Sequence, residues 1–94
     1  MALEASLAEI EGTLRARIYN ESMKLENEVP VRDLLKTLGD VKKVHAIVLD
    51  GIITQRLVDL AEEKGVRYLV GVRQGKVYRQ PGSMLFSVSR GGST

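Results

Sequence analysis

The first third of the chain changes from a helical to an alternating pattern of apolar residues. Three apolar residues at helical spacing predict a short helix over residues 1–11, which ends at Gly12. A helix of that length is marginal on its own, and the alternative is the end of a linker from a larger protein. Residues 13–19 alternate apolar side chains with arginine, which is typical of a strand with one wet face. A weaker strand over 24–29 completes a predicted β-hairpin.

The middle of the chain has the pattern of a βαβ unit preceded by a helix. That helix covers residues 30–38 and is predicted to end in a left-handed cap at Gly39. Residues 44–49 are almost continuously apolar, which indicates a strand buried on both faces. A helical stripe over 53–64 and a second apolar strand over 66–72 follow. Strands joined by a helix in this way are parallel.

The end of the chain contains shorter elements. Gly75 supplies the turn of a tight hairpin predicted over 72–79, and a last strand is predicted over 84–88. The fold class is therefore α/β: a small single domain over residues 1–90, with a flexible tail at 91–94. Its mixed sheet has a central parallel βαβ unit, hairpins at the edges and helices packed on the sheet.

Composition narrows the class of protein without indicating an activity. The 94 residues are 44% apolar and 28% charged, as in an average globular chain. Cysteine is absent and histidine occurs once, which excludes disulfides, thiol nucleophiles and the usual zinc sites, and is compatible with a cytoplasmic location. No apolar run approaches the roughly 20 residues that span a bilayer. We therefore expect no membrane contact.

The first candidate for chemistry is Asp50, which with Gly51 follows the first buried strand. Ligands of open α/β sheets bind at the carboxyl ends of strands, and a carboxylate there can hold a metal ion. Catalytic sites of the Toprim type need several carboxylates, however, and the next strand ends in no acid. Asp50 is thus a weak metal candidate. The alternative is that it caps the following helix while Gly51 permits the turn.

Two further features are candidates for which a structural interpretation is simpler. Thr54 is a predicted N-cap, and Gln55 and Arg56 lie at a helix N-terminus that would attract an anion, although a cap with a solvated surface is the simpler interpretation. His45, at the start of a buried strand, has neither a cysteine nor a second histidine to act with, so a packed or edge residue is expected rather than a base.

Charge is distributed unevenly along the chain. Residues 1–64 hold nine lysines and arginines and all twelve acids, whereas residues 65–94 hold five cations and no acid. Aromatic residues lie among these cations, a combination suited to single-stranded nucleic acid through phosphate attraction and base stacking. The alternative is a solvated hairpin with core aromatics. We predict that contacts to RNA or a partner are made by Arg56, Arg73, Lys76 and Arg79.

Several segments resemble the C-terminal domain of archaeal DnaG-type primases. They are the run from Glu11 to Arg17, the run from Glu28 to Leu34 and, above all, the nearly ungapped string from Val48 to Gly71. The resemblance covers roughly residues 11–80, and the sequence departs from the family pattern from Pro81 onward. It includes no Toprim acids, so no catalytic residue is carried over to this chain.

The resemblance implies a function for a longer protein. Full-length members of this family carry a Toprim domain upstream, synthesise RNA primers with Mg²⁺, and associate with the RNA-binding cap subunit of the archaeal exosome. They are also linked to adenine-rich RNA. The present chain is then expected to be a non-catalytic interaction domain without a cofactor, whose partners are the exosome cap subunit, RNA and the rest of the primase chain.

Two alternatives belong to other functional classes. In one, Asp50 completes a Toprim-type nucleotidyltransferase or nuclease site. In the other, the domain mediates oligomerisation, because an edge hairpin such as residues 72–79 can pair across a two-fold axis.

Overall fold

The computed structural model describes residues 2–89, and the predicted tail at 91–94 lies outside the described residues. Three α-helices, a 3₁₀ turn and seven strands alternate along this part of the chain. In chain order they are α1 (Ala2–Ile10), β1 (Arg15–Tyr19), β2 (Leu25–Pro30), the 3₁₀ turn (Val31–Asp33), α2 (Leu34–Asp40), β3 (Ala46–Leu49), β4 (Ile52–Ile53), α3 (Gln55–Glu63), β5 (Tyr68–Gly71), β6 (Arg73–Gln74) and β7 (Leu85–Val88).

Five strands form one mixed sheet in the order β2-β1-β3-β5-β7. The β1–β2 hairpin is antiparallel, and β1 also runs antiparallel to β3. β3 and β5 are parallel, with Ile47 opposite Leu69, and α3 connects them. This is the predicted βαβ unit at the centre of the sheet, and the α/β class with a mixed sheet is confirmed.

The two faces of the sheet carry two separate hydrophobic cores. The larger core lies under α2 and α3, where Leu38, Ile47 and Leu69 are completely buried. On the opposite face, the apolar stripe of α1 packs on Val48 and Val70. For residues 1–11 the sequence predicts either a helix or the end of a linker. The structure has a helix there, which covers one face of the sheet.

The second predicted hairpin, over 72–79, is wrong. Arg73 of β6 pairs in parallel with Ile52 of β4, in a separate two-stranded sheet, and residues 75–80 form no strand. The N–H of Gly75 instead donates to the carbonyl oxygen of Ile53 at 2.8 Å. The oligomerisation alternative therefore cannot rest on this segment, whereas the β1–β2 hairpin does lie at an edge of the sheet.

The last predicted strand exists but pairs differently from an edge hairpin. β7 runs parallel to β5, with Phe86 opposite Leu69, and Met84 just before it is buried in the larger core. Residues near Pro81, where the sequence departs from the family pattern, thus lead into an integral strand of the sheet. Within residues 2–89 no helix is long and apolar enough to cross a membrane.

The glycines that follow or end helices differ in backbone conformation. Gly12 and Gly65 adopt φ values of +89° and +78°, as expected for residues that end helices α1 and α3. The prediction of a left-handed cap at Gly39 is wrong, because this residue lies inside α2 and its φ is not positive. The helix continues one residue further, to Asp40, before the chain becomes extended at Val41.

Candidate interaction site

The N-terminus of α3 is tied to the loop between β6 and β7. Thr54 is the N-cap of α3, as predicted, since its hydroxyl oxygen accepts from the backbone N–H of Leu57 at 3.3 Å. The side-chain oxygen of Gln55 accepts from the N–H groups of Tyr78 and Arg79, at 2.6 and 2.9 Å. The amide nitrogen of Gln55 donates to the carbonyl of Arg79 at 3.0 Å. One side chain thereby holds this loop against the helix.

This contact brings three of the four predicted cations to one region. We define the basic patch as Arg56, Lys76, Tyr78 and Arg79, which lie beside Gln55 in the chain or in the loop that Gln55 binds. Tyr78 is 84% exposed, and Arg56 and Lys76 are exposed and form no ion pair within residues 2–89. An exposed aromatic ring among cations is the arrangement that single-stranded nucleic acid uses for stacking and phosphate contact.

Arg79 is the exception within the basic patch because it already has an acidic partner. Its guanidinium forms an ion pair with Glu62 of α3. Hydrogen bonding to that carboxylate raises the pKa of Arg79 above its ordinary value. The pair is exposed, so it leaves donors of Arg79 available but reduces the net positive charge of the patch.

Arg73 lies at a different place from the other three predicted cations. It is exposed on β6 and lines a cleft of about 660 Å³ together with Gly12, Leu14, Asp50 and Ile52. No residue of the basic patch lines this cleft. The fold therefore places the four cations at two separate locations, and their contact with RNA or a partner stays a prediction.

Asp50 is a structural residue that stabilises the turn between α1 and β1. Its Oδ2 atom accepts from the N–H of Gly12 at 3.0 Å and from the N–H of Leu14 at 2.7 Å. Its side chain points back to this turn, so the expectation that Asp50 caps the following helix is wrong. Thr54 has that role.

The surroundings of Asp50 do not fit a metal ion. Residues 2–89 contain no group of three or more acidic or histidine side chains that could hold one. The carboxylate is buried, with 7% of the residue exposed, and Oδ2 is already shared by two N–H donors. Mg²⁺ is a hard cation that requires several oxygen ligands. Here Oδ2 of Asp50 is committed to the turn, and Glu11 is the one other carboxylate in the lining of the cleft.

The turn held by Asp50 has an unusual conformation. Leu14 adopts a φ of +57°, a region that leucine rarely enters, and its side chain is 70% exposed. Its carbonyl oxygen accepts from the N–H of Val31 at 2.8 Å, which joins the turn to the end of β2. The result is a projecting leucine on a rigid support.

Curated proteins include relatives that match most of this chain. No family profile and no solved structure matches the chain. Among curated proteins, the DNA primase DnaG of Thermofilum pendens is 48% identical over 81 residues, covering 86% of this chain and 19% of the relative. The DnaG primase of Archaeoglobus fulgidus is 50% identical over 76 residues, covering 80% of this chain and 19% of the relative.

The chain matches the C-terminal part of archaeal DnaG primases. The resemblance seen in residues 11–80 is confirmed at this level. The DnaG primase of Pyrobaculum arsenaticum is 45% identical over 85 residues and is likewise covered over only 20% of its length. The chain therefore spans about a fifth of the length of these relatives.

His45 of this DnaG-like chain has a structural environment. It is half-buried before β3, and its ring meets the ring of Tyr68 edge-on, with 5.4 Å between the centroids. Its backbone N–H donates to Tyr19, and its carbonyl accepts from Arg67 and Tyr68. This agrees with the expectation of a packed edge residue.

A charged network on the α1 face of the DnaG-like chain is not predicted by any pattern in the sequence. Glu28 of β2 accepts from Arg15 at 3.0 Å and from Arg17 at 2.8 Å. Arg17 also donates to Ser6 at 2.9 Å and to Glu9 at 2.7 Å, both on α1. The alternation of β1 predicts a wet face for these arginines. Their acidic partners come from elements that only the fold brings together.

Hydrogen bonds within this network shift the ionisation of its members. The hydrogen bond from Arg17 to Glu9 is the largest cause that raises the pKa of the Arg17 guanidinium, and the hydrogen bond to Glu28 raises it further. The hydrogen bond from Arg17 is also the main cause that lowers the pKa of Glu28 below its ordinary value. The network is thus a link between α1 and the β1–β2 hairpin, with its charges satisfied internally.

Proposed function

We propose that this domain is the non-catalytic interaction module of a DnaG-type primase, that it docks the longer protein onto the cap subunit of the archaeal RNA exosome, and that it assists in holding RNA. The match to the C-terminal part of archaeal DnaG primases carries the proposal. The exosome association is what that family resemblance implies. Primer synthesis and its Mg²⁺ belong, in this proposal, to the rest of the primase chain in the cytoplasm.

The geometry around Asp50 supports a non-catalytic role. A metal-dependent nucleotidyltransferase or nuclease needs several convergent carboxylates, and the one buried carboxylate at the end of β3 is used to stabilise a turn. The clefts and exposed groups nearby are suited to contacts with another macromolecule. We therefore favour an interaction module over a fragment of a Toprim-type site.

The basic patch supports the RNA part of the proposal. Its exposed tyrosine provides a stacking surface, and Arg56 and Lys76 are cations without an ion-pair partner within the described residues. Arg73 and Arg79 are retained as proposed contacts, Arg73 from its separate cleft and Arg79 through the donors that Glu62 leaves free.

A capture experiment tests docking. The chain is immobilised, its fold is checked by circular dichroism, and it is incubated with purified exosome cap subunit after nuclease treatment to remove bridging RNA. We expect the cap subunit to be retained. If a folded chain retains none, docking by this domain is refuted and any contact with the exosome must come from other parts of the primase.

A separate titration tests RNA binding. Fluorescence anisotropy of a labelled single-stranded adenine-rich RNA is followed as the chain is added, first with wild type and then with Tyr78→Ala. We expect weak binding that Tyr78→Ala reduces further. The Leu85→Ala variant is the matched control, because it truncates another exposed, uncharged side chain that lies outside the patch. Equal effects of the two variants would contradict the assignment.

A further inference from the structure

We propose that Leu14 and Ile52 form a docking ridge for a protein segment in which an apolar side chain is flanked by carboxylates. The ridge is defined as these two exposed residues, and the inference rests on the proposed docking function. Leu14 is 70% exposed and Ile52 is 42% exposed. Both line the cleft of about 660 Å³, and Leu14 also lines a second cleft of about 500 Å³.

The backbone at Leu14 is the first argument for function. A leucine at a φ of +57° is strained relative to glycine or asparagine at the same position. Packing gives no compensation, because most of the side chain is in solvent. Local strain of this kind persists where the surrounding structure imposes it, and it concentrates at functional positions.

The support beneath the turn is the second argument. Asp50 is a buried carboxylate whose hydrogen bonds given by the structure go to Gly12 and Leu14, at 3.0 and 2.7 Å. The N–H of Val31 fixes the carbonyl of Leu14 at 2.8 Å. A projecting leucine held from both sides loses little conformational freedom when a partner covers it, and such preorganisation favours binding.

Charge around the two clefts indicates the chemistry of the partner. Arg73 lines the larger cleft and Arg32 the smaller one, and both are exposed and form no ion pair within residues 2–89. The larger cleft is also lined by the acidic residues Glu11 and Asp50, whereas the lining of the smaller cleft contains no acid. The smaller cleft is therefore the side of the ridge that complements a segment carrying Asp or Glu next to Leu, Ile, Val or Met.

The same residues favour protein over RNA as the occupant. The ridge and the wall of the smaller cleft, with Pro30 and Val31, are aliphatic and offer no aromatic ring for stacking bases. We therefore assign protein docking to the ridge and RNA contact to the separate basic patch.

The test compares two leucines of similar exposure. Leu14→Asn removes the apolar side chain with a residue that tolerates positive φ, so we expect an unchanged or higher melting temperature. We expect its affinity for purified exosome cap subunit, measured by biolayer interferometry, to fall at least tenfold. Leu85→Asn is the control, since Leu85 is 57% exposed on β7 and lines neither cleft.

Charge reversal gives a second comparison that does not depend on Leu14. Arg32→Glu combined with Arg73→Glu should weaken binding of the cap subunit, whereas Arg67→Glu should not. Retained affinity in both Leu14→Asn and the double variant, with wild type binding normally, would overturn the ridge while leaving the docking function intact. Absence of wild-type binding would overturn both. Loss of RNA binding alone in Leu14→Asn would overturn the assignment of a protein occupant.

Discussion

A buried carboxylate at the end of a strand has different consequences depending on what its oxygen atoms contact. Asp50 occupies a position where many α/β proteins bind ligands, yet its Oδ2 accepts from two backbone N–H groups of the turn between α1 and β1. The role of this residue therefore follows from a contact across 36 to 38 positions of sequence. A substitution distinguishes that role from metal binding.

Asp50→Ala should destabilise the chain without any dependence on Mg²⁺. The N–H groups of Gly12 and Leu14 lose a charged acceptor, which costs about 1–3 kcal/mol in the free energy of unfolding. Urea denaturation followed by circular dichroism measures this loss, with Asp40→Ala, at the exposed end of α2, as control. A metal ligand would instead give a wild-type melting temperature that rises with Mg²⁺ and a variant that does not respond.

Gly71 is required by close packing rather than by a positive φ. A Cβ atom there would lie 2.9 Å from Cγ1 of Ile53 and 3.1 Å from the carbonyl oxygen of Gly51. Gly71→Ala should therefore lower the free energy of unfolding by about 1–3 kcal/mol. Gly82→Ala is the matched control, because a Cβ atom at that residue would have nothing within 4 Å. Equal urea midpoints for the two variants would refute this account.

At the scale of elements, ion pairs link α1 to the β1–β2 hairpin. Arg17 lies between Glu9 of α1 and Glu28 of β2, and its side chain is only 17% exposed. Surface ion pairs usually contribute little, but a network around a half-buried arginine contributes more than an isolated exposed pair. Its effect should appear as acid sensitivity.

The sign of that sensitivity follows from the lowered pKa of Glu28. A folded-state pKa below the ordinary value of 4.5 means that Glu28 contributes its full stabilisation above about pH 4.5. The contribution is lost as the pH falls from there through the folded-state pKa. Wild type should lose more thermal stability between pH 7 and pH 3 than Glu28→Gln, which lacks the titrating group.

The control for this pH profile is Glu63→Gln, because Glu63 is exposed on α3 and its side chain makes no hydrogen bond or ion pair within the described residues. Its profile should parallel that of wild type. Identical pH dependence of melting temperature in wild type and Glu28→Gln would contradict the assignment to Glu28.

The loop between β6 and β7 depends on one side chain of α3. Gln55→Ala removes three hydrogen bonds to Tyr78 and Arg79, so amide exchange at these two positions should accelerate. The global free energy of unfolding should fall by about 1 kcal/mol or less, because these bonds are exposed. Hydrogen–deuterium exchange measures both quantities. Gln74→Ala, on exposed β6, should leave the loop unchanged.

At the scale of the whole molecule, local periodicity predicts the helices and strands whose apolar residues are buried in the core. β3, α3 and β5 lie where apolar runs and a helical stripe indicate them, because each is packed in the core. The parallel pairing of β6 with β4, and of β7 with β5, does not follow from the sequence, since a Gln-Gly pair also fits a hairpin turn. Only contacts with β4 and β5 determine the outcome.

The sequence predicts the composition of a candidate site only where the residues of the site are close together in the chain. The loop that carries Arg79 lies against the start of α3, where Arg56 lies, because Gln55 binds this loop across 23 to 24 residues of sequence. No local pattern indicates that bond. Arg67 and Arg73 precede and follow β5, so a strand separates two cations that belong to one group in the sequence. The positive φ of Leu14 likewise depends on Asp50, a distant residue.

This distribution of charge limits how RNA binding should respond to salt. With two or three cations of the basic patch in contact with phosphates, the slope of log affinity against log salt is about −1.4 to −2.1 for a single strand. Raising salt from about 50 to 200 mM should then weaken binding of a labelled adenine-rich RNA roughly 7- to 18-fold. Lys76→Glu should flatten the slope, whereas Arg67→Glu should leave it unchanged. A slope near those of proteins with six to ten phosphate contacts would require cations from both ends of the sheet, and would contradict the patch as defined.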